Sequence, residues 1–215
     1  MQALETQATE IQALQTQTPV EVNFSPLMRR YTLEEFWALP EPEGRAHYEL
    51  IGGYLFMVPP PNPPHGDVAS RMLKSLMQFL LLNNIEGDVH FPREPIYRDA
   101  EDATYLEPDM MYVSRELRQK MGAKRTSADV VFEFLSRSTS VYDRTTKADT
   151  YLALAVRELW VIDAFTATIE VRHASKVGER PVWDGWRYPR GYNAKSRVLD
   201  GWEVSVDQLF AGLTE

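Results

Sequence analysis

The segment Asp129–Leu135 limits the possible folds of this 215-residue chain more than any other, because it is almost wholly apolar. It reads Asp-Val-Val-Phe-Glu-Phe-Leu, and a strand of this kind is usually covered on both faces. Sheets covered on both faces carry helices on either side. Glu133 interrupts the run, and an ionised carboxylate there is costly unless it is paired or bound to a metal ion. The segment therefore predicts an α/β fold, and it indicates that the carboxylate of Glu133 has a partner or a bound metal ion.

The segments around this strand predict an α/β (α+β) domain with a central mixed sheet flanked by helices. Two β-rich runs, 46–51 and 54–58, surround Gly52-Gly53 and predict a β-hairpin near the start. Apolar residues recur at helical spacing from His65 to about Leu82. The Asp184-Gly185 pair predicts the turn of another hairpin near the C-terminus. The remaining patterns predict strands at 89–98, 109–113, 159–162 and 168–172, and a helix from about Tyr142 to Ala155.

Length and composition fit one domain of ordinary size. Residues 1–25 are rich in Gln and Thr and lack a useful apolar stripe, which predicts a mobile N-terminal tail before a single domain at 26–215. The chain has no cysteine, which excludes thiolate zinc sites and cysteine nucleophiles and fits a cytoplasmic location. Its longest apolar run, Phe79–Leu82, is far too short to span a bilayer, so no membrane partner is expected.

The charge pattern bears on nucleic-acid binding. The formal net charge is -8, which counts against coating a phosphate polymer by bulk electrostatics. Two stretches, 114–127 and 186–198, are nevertheless strongly basic. They fit either solvated loop faces or local patches that contact phosphates, and the sequence leaves both open.

Two carboxylates are expected to converge near the ends of adjacent strands. Asp109 follows Pro108 at the start of the strand that precedes the Glu133 strand. Carboxylates aimed at one point repel each other unless a proton or a divalent cation lies between them. Oxygen-only ligands suit Mg²⁺ or Mn²⁺ better than zinc. The pattern therefore indicates a magnesium or manganese site at Asp109 and Glu133.

A lysine on the following helix could face these acids. Asp143, Lys147 and Tyr151 are four residues apart, so they share one face of a helix. In the alternative interpretation, Asp143 and Lys147 form a surface pair and Glu133 is a buried structural ion. His65 also has two interpretations: it is either a residue that only begins the helix or a member of the site.

Six segments, in order along the chain, resemble one family. They are Tyr48-Glu-Leu-Ile-Gly-Gly53, the helix opening at His65, Glu107-Pro-Asp109, Val131-Phe-Glu-Phe-Leu-Ser-Arg-Ser-Thr139, Asp143-Arg-Thr-Thr-Lys147-x3-Tyr151 and Leu159-Trp-Val-Ile-Asp163. The family is described as "putative restriction endonuclease", was long catalogued as a domain of unknown function, and belongs to the PD-(D/E)XK nuclease superfamily. The resemblance extends from about Tyr31 to Leu213.

This resemblance implies a restriction-endonuclease-like core and a metal-dependent endonuclease acting on DNA. It implies Asp109 and Glu133 as ligands of Mg²⁺ (or Mn²⁺), Glu49 as an accessory acid near the metal, and Lys147 as the catalytic lysine. The superfamily normally places its lysine two residues after the glutamate, where this chain has Leu135. Lys147 would then supply the ammonium group from the following helix instead.

The expected partner is DNA, and a symmetric homodimer is favoured because cutting a duplex requires two sites. A second hypothesis is a catalytically degenerate nuclease fold that binds DNA or a protein without cleavage, and Mg²⁺ dependence would separate the two. An acid/base hydrolase using Glu49 and Glu133 ranks last, because the tryptophans are expected to pack rather than to form a sugar platform.

Overall fold

The computed structural model describes residues 29–213 apart from 43, 45, 61–62 and 137–139. The predicted tail at 1–25 and the last part of the 131–139 motif lie outside the described residues. The helices are α1 (Leu33–Trp37), α2 (His65–Leu82), α3 (Arg115–Met121), α4 (Ser140–Tyr142), a π-helical segment (Asp143–Lys147), α5 (Ala148–Ala153) and α6 (Val206–Leu209). Among the described residues, no helix is long and apolar enough to cross a membrane.

The strands of the described residues form three sheets. They are β1 (His47–Ile51), β2 (Tyr54–Val58), β3 (Gly87–His90), β4 (Ile96–Arg98), β5 (Thr104–Leu106), β6 (Met110–Ser114), β7 (Val130–Phe134), β8 (Glu158–Asp163), β9 (Thr168–Val177), β10 (Arg180–Tyr188), β11 (Asn193–Lys195) and β12 (Glu203–Ser205). The central sheet has the order β10-β9-β8-β7-β6-β3, in which β7 and β8 run parallel and the other neighbours antiparallel. A four-stranded antiparallel sheet, β2-β1-β5-β4, and the β11-β12 pair complete the domain.

Strand β7 is buried on both faces, as its sequence predicts. Its even-numbered residues Val130, Phe132 and Phe134 pack in one core cluster with the apolar face of α2. Val131 and Leu135 point the other way, into a second cluster with side chains of α5 and β8. Burying such a side chain stabilises a fold by about 1.5–3 kcal/mol. Because Glu133 shares the face of Val131 and Leu135, its carboxylate lies within the layer between the sheet and α5.

The predicted hairpin turn at Asp184-Gly185 is wrong. Both residues lie inside the continuous strand β10, paired with His173 and Arg172 of β9. The hairpin is present, but the chain reverses at Gly178, which has a φ of +61°. The glycine at 185 allows close strand approach instead, because a Cβ there would lie 3.1 Å from Arg172 Cγ.

Two other predicted elements have different boundaries in the structure. The single strand expected at 89–98 is split into β3 and β4, which belong to different sheets. Pro92 and Pro95 cannot donate to a sheet ladder, and Arg93 between them has a φ of +76°. The helix expected from about Tyr142 begins at Ser140 and passes through a π-helical segment.

Candidate active site

Antiparallel pairing places the two predicted metal ligands opposite each other. Met110 of β6 pairs with Phe132 of β7, so Asp109 and Glu133 lie one position further along this ladder. Asp109 Oδ2 accepts a 2.8 Å hydrogen bond from the backbone N–H of Phe134. Both carboxylates line one small cleft with a volume of about 40 Å³. The convergence expected from the sequence is therefore present in the fold.

Lys147 joins these carboxylates from the π-helical segment. Its Nζ lies 2.9 Å from Glu133 Oε1 and 3.2 Å from Glu49 Oε1. The Oδ1 atom of Asp143, one turn earlier, is 4.0 Å from the same nitrogen. Lys147 is 3% exposed, so these are buried ion pairs and not the surface pair of the alternative interpretation.

The π-helical segment positions this ammonium group. A π-turn adds a residue to the helical repeat, and such turns are frequent at functional sites. Asp143 and Lys147 are its first and last residues, and both side chains are buried. Tyr151, one turn beyond, donates a 2.5 Å hydrogen bond to Glu133 Oε1. The i, i+4, i+8 spacing therefore brings all three side chains to the Glu133 side of the helix.

Glu49 lies on β1 of the four-stranded sheet, and its side chain contacts Lys147. Its carboxylate is fully buried in β1 and accepts 2.9 Å hydrogen bonds from the Glu107 backbone N–H and from the Tyr142 hydroxyl. Burial alone would raise the pKa of Glu49, but Lys147, His47 and the Glu107 N–H together lower it to about 2. Glu49 is therefore an ionised, fixed anion beside the lysine.

His65 lies against Asp109 at the start of α2. Its Nε2 atom is 3.1 Å from Asp109 Oδ2, and both residues line the cleft. The helix begins at His65 directly after Pro63-Pro64, which fixes where this ring enters the site. His65 is thus both the first residue of α2 and a residue that lines the cleft, and its role in the chemistry stays a prediction.

The site has more acids than bases, and this imbalance sets its electrostatics. Burial raises the pKa of Glu133 well above its usual value, and the charges of Asp109, Asp143 and Glu49 add to the rise. Lys147 opposes this effect without cancelling it. Burial would lower the pKa of Lys147, but Glu133 and Glu49 raise it well above its usual value. The lysine is therefore charged at neutral pH.

Sequence reasoning missed two neighbours of the site, Tyr142 and His47. Tyr142 contacts Glu49, and His47 Nε2 lies 3.9 Å from Glu49 and 3.8 Å from Glu107. These last distances are too long for hydrogen bonds. His47 is two residues from Glu49 in β1, so strand alternation could have placed it on the same face. Nothing local in the sequence indicates Tyr142.

The donor set fits a small, hard divalent cation. Among the described residues, no group of three or more His, Cys, Asp or Glu side chains is arranged to hold a metal ion. Mg²⁺ does not require such a cage, because it is usually held by one or two carboxylates and keeps several waters. Asp109 and Glu133 supply two carboxylates in one cleft, and the surplus of acids there would be relieved by a cation.

We expect Glu133→Gln to raise the melting temperature of the metal-free protein, and more so near pH 9 than near pH 5. Because the folded pKa of Glu133 is raised, the folded protein binds this proton more tightly than the unfolded chain. Wild-type stability should therefore fall as pH rises from the ordinary carboxyl range through the raised pKa, and the variant lacks this loss.

Thermal unfolding in EDTA measures this difference, with Glu116→Gln on the exposed face of α3 as the control. A lower melting temperature for Glu133→Gln near pH 9 would instead make Glu133 a structural partner that Lys147 requires.

Most basic side chains of the two stretches, 114–127 and 186–198, form ion pairs. Arg118 lies 2.6 Å from Asp88, and Arg197 lies 3.1 Å from Asp184. The other pairs are Arg115–Glu86, Lys120–Glu116, Arg125–Glu94, Arg187–Glu170, Arg190–Asp207 and Lys195–Glu203, of which Arg125 and Glu170 are mostly buried. Exposed pairs contribute little to stability and exchange partners easily. The stretches lie partly on α3 and on strands β10 and β11 rather than wholly in loops, and contact with phosphates stays a prediction.

A solved structure shares this fold. It is a crystal structure from Anabaena variabilis ATCC 29413, described as a putative nuclease belonging to DUF820. The two chains are 20% identical, the TM-score is 0.64, and the match covers 86% of this chain and 99% of that one. At this identity the likeness shows a shared fold, a mixed central sheet flanked by helices.

A family model places the chain more narrowly. The model "Uma2: Putative restriction endonuclease" matches residues 33–211, which is most of the chain. The protein therefore belongs to this family, as the six motifs indicate. No curated protein matches the chain.

Proposed function

We propose that this protein is a metal-dependent phosphodiesterase of the endonuclease type that hydrolyses DNA. The observation that carries the proposal is one cleft lined by Asp109, Glu133 and Lys147, which come from three different elements. Two acids with an adjacent buried ammonium group, 2.9 Å from Glu133, match the chemical needs of phosphodiester hydrolysis. Membership of a family described as "putative restriction endonuclease" supports the same conclusion.

Each side chain has a distinct proposed role. Asp109 and Glu133 would hold Mg²⁺ (or Mn²⁺), which supplies Lewis-acid activation of a phosphate oxygen and of the attacking water. Lys147 provides a fixed positive charge for the negative charge that develops on the phosphate. Glu49 keeps that ammonium charged and in place, 3.2 Å away, and His65 fixes the orientation of Asp109.

Lys147 would replace the missing strand lysine of the superfamily motif. Leu135 occupies that strand position, is 4% exposed and packs in the second core cluster. A leucine cannot stabilise transition-state charge, whereas Lys147 reaches Glu133 directly. Two such sites, one in each copy of a symmetric homodimer, would cut both strands of a duplex.

One observation favours the second candidate function, a degenerate module that binds DNA or a protein without cleavage. The Lys147 ammonium already has three carboxylates within 4.0 Å, so its charge is compensated within the protein. In that case Lys147 would serve the fold, and binding of a partner would not need a divalent cation.

Metal binding separates these two candidates. Calorimetric titration of the wild-type protein with Mn²⁺ should reveal one site, because two converging carboxylates with excess negative charge attract a cation. The site should weaken sharply in Asp109→Asn, which keeps the shape but removes one charged ligand. Asp149→Asn, an exposed acid on α5, is the control. Equal affinity of the wild-type protein and of Asp109→Asn for Mn²⁺ would contradict the proposed metal site.

A further inference from the structure

A second cavity adjoins the active-site cleft and has a volume of about 170 Å³. Its walls include the aromatic side chains of Phe36, Trp37, Tyr48 and Tyr105, with Arg93 on one side. These five residues define what we call the aromatic pocket. His47 and Glu107 line both this pocket and the active-site cleft, so the two cavities are neighbours across these two side chains.

The aromatic walls are held by packing. Phe36 and Tyr105 have ring centroids 4.8 Å apart, which joins the end of α1 to β5. The α1 helix is itself fixed by the buried Leu33 and by a reciprocal capping box between Thr32 and Glu35. These contacts order one side of the pocket before any ligand binds.

Trp37 is the unusual member of the pocket. Its indole is 60% exposed although it lines a cavity beside a candidate catalytic site. One edge rests against Tyr97, with ring centroids 6.4 Å apart in an edge-to-face arrangement. A single exposed apolar residue needs no special explanation, but an exposed indole over an aromatic-lined cavity offers a face on which a planar ligand can stack.

Arg93 adds a positive charge to the lining of the pocket, which also includes the acids Glu41 and Glu107. Its side chain is 61% exposed, and its Nη1 atom lies 3.6 Å from Glu107 Oε2. A pair at this distance and exposure is weak, so the guanidinium group can turn to a phosphate or to a base edge. The left-handed backbone at Arg93, with a φ of +76°, places it in the reversal between β3 and β4.

We propose that the aromatic pocket binds one unpaired base of a nucleic-acid substrate, beside the phosphate that the active site cleaves. Stacking on aromatic side chains and contact with an arginine are how proteins hold unstacked bases. The cavity, with a volume of about 170 Å³, has room for a single base, and bases within a duplex are already stacked on both faces. The substrate class is therefore single-stranded or locally unpaired DNA. This inference rests on the proposed nuclease function.

The test compares Trp37→Ala with Trp186→Ala, an equally exposed tryptophan on β10. Affinity for a labelled single-stranded oligonucleotide and for the duplex of the same sequence is measured by fluorescence anisotropy, and cleavage of both is followed with Mn²⁺. Trp37→Ala should weaken single-strand binding by roughly fivefold to 150-fold, the equivalent of about 1–3 kcal/mol for one stacked base. Trp186 lies in the basic stretch 186–198, and Trp186→Ala should not change the preference for the single strand over the duplex.

The outcomes separate this inference from the function on which it rests. If the wild-type protein cleaves DNA and both tryptophan variants bind the single strand equally well, the proposed role of the aromatic pocket is wrong. The nuclease proposal would still stand in that case. Preference for the duplex, or equal weakening of both substrates in Trp37→Ala, would also overturn it. Wild-type protein that neither binds nor cleaves any of these DNAs would remove both proposals.

Discussion

Replacing Lys147 with methionine should lower the free energy of unfolding of the metal-free protein by about 3–5 kcal/mol. Lys147 is the buried cation between Glu133 and Glu49, at 2.9 and 3.2 Å. Methionine fills a similar volume, so the change removes the charge and leaves two buried carboxylates facing each other. Breaking a buried ion pair from one side costs this much because the remaining charge has neither solvent nor a counter-ion.

Chemical denaturation in EDTA measures this loss. Lys120→Met, which removes an exposed lysine 2.7 Å from Glu116, is the matched control and should cost at most about 1 kcal/mol. The double variant Lys147→Met with Glu133→Gln should recover part of the stability, since it also removes one of the facing charges. A loss no larger than that of Lys120→Met would mean that the carboxylates of the site are protonated and that Lys147 is not their counter-ion.

The central strand and its acid could be predicted from local sequence. An apolar run of this length is compatible with burial on both faces, and strand alternation alone placed Glu133 with Val131 and Leu135. Helical spacing likewise placed Asp143, Lys147 and Tyr151 on one face. These rules operate within one element, so they need no knowledge of the tertiary fold.

The remaining features depend on which elements meet. Glu49 belongs to a different sheet from Glu133, and only the docking of that sheet beside the π-helical segment brings it to Lys147. The π-helical segment has no signature in its residue types. The error in the predicted turn at Asp184-Gly185 has a similar cause. The Asp-Gly pair favours a turn locally, but β9 and β10 pair along their whole length through these residues. The aromatic pocket is formed by residues of α1, β1 and β5, so it could not be predicted from the sequence for the same reason.

Replacing Glu133 with glutamine should abolish cleavage although the same change is expected to stabilise the fold. Glutamine keeps the size of the side chain but removes a charged ligand from the proposed cation site beside Asp109. We expect the rate to fall on the order of 10³-fold, which corresponds to about 4 kcal/mol of transition-state stabilisation. A more stable but inactive variant excludes unfolding as the cause of the loss.

The most direct test of a metal-dependent nuclease is the rate of nicking of circular single-stranded DNA and of supercoiled plasmid. Wild-type protein and Glu133→Gln are compared side by side in Mg²⁺, in Mn²⁺ and in EDTA. We predict that the wild-type protein cleaves DNA with either metal and does not cleave it in EDTA. We also predict that Glu133→Gln does not cleave it. Cleavage that persists in EDTA, equal rates for the two proteins, or no cleavage by the wild-type protein with either metal would contradict these predictions.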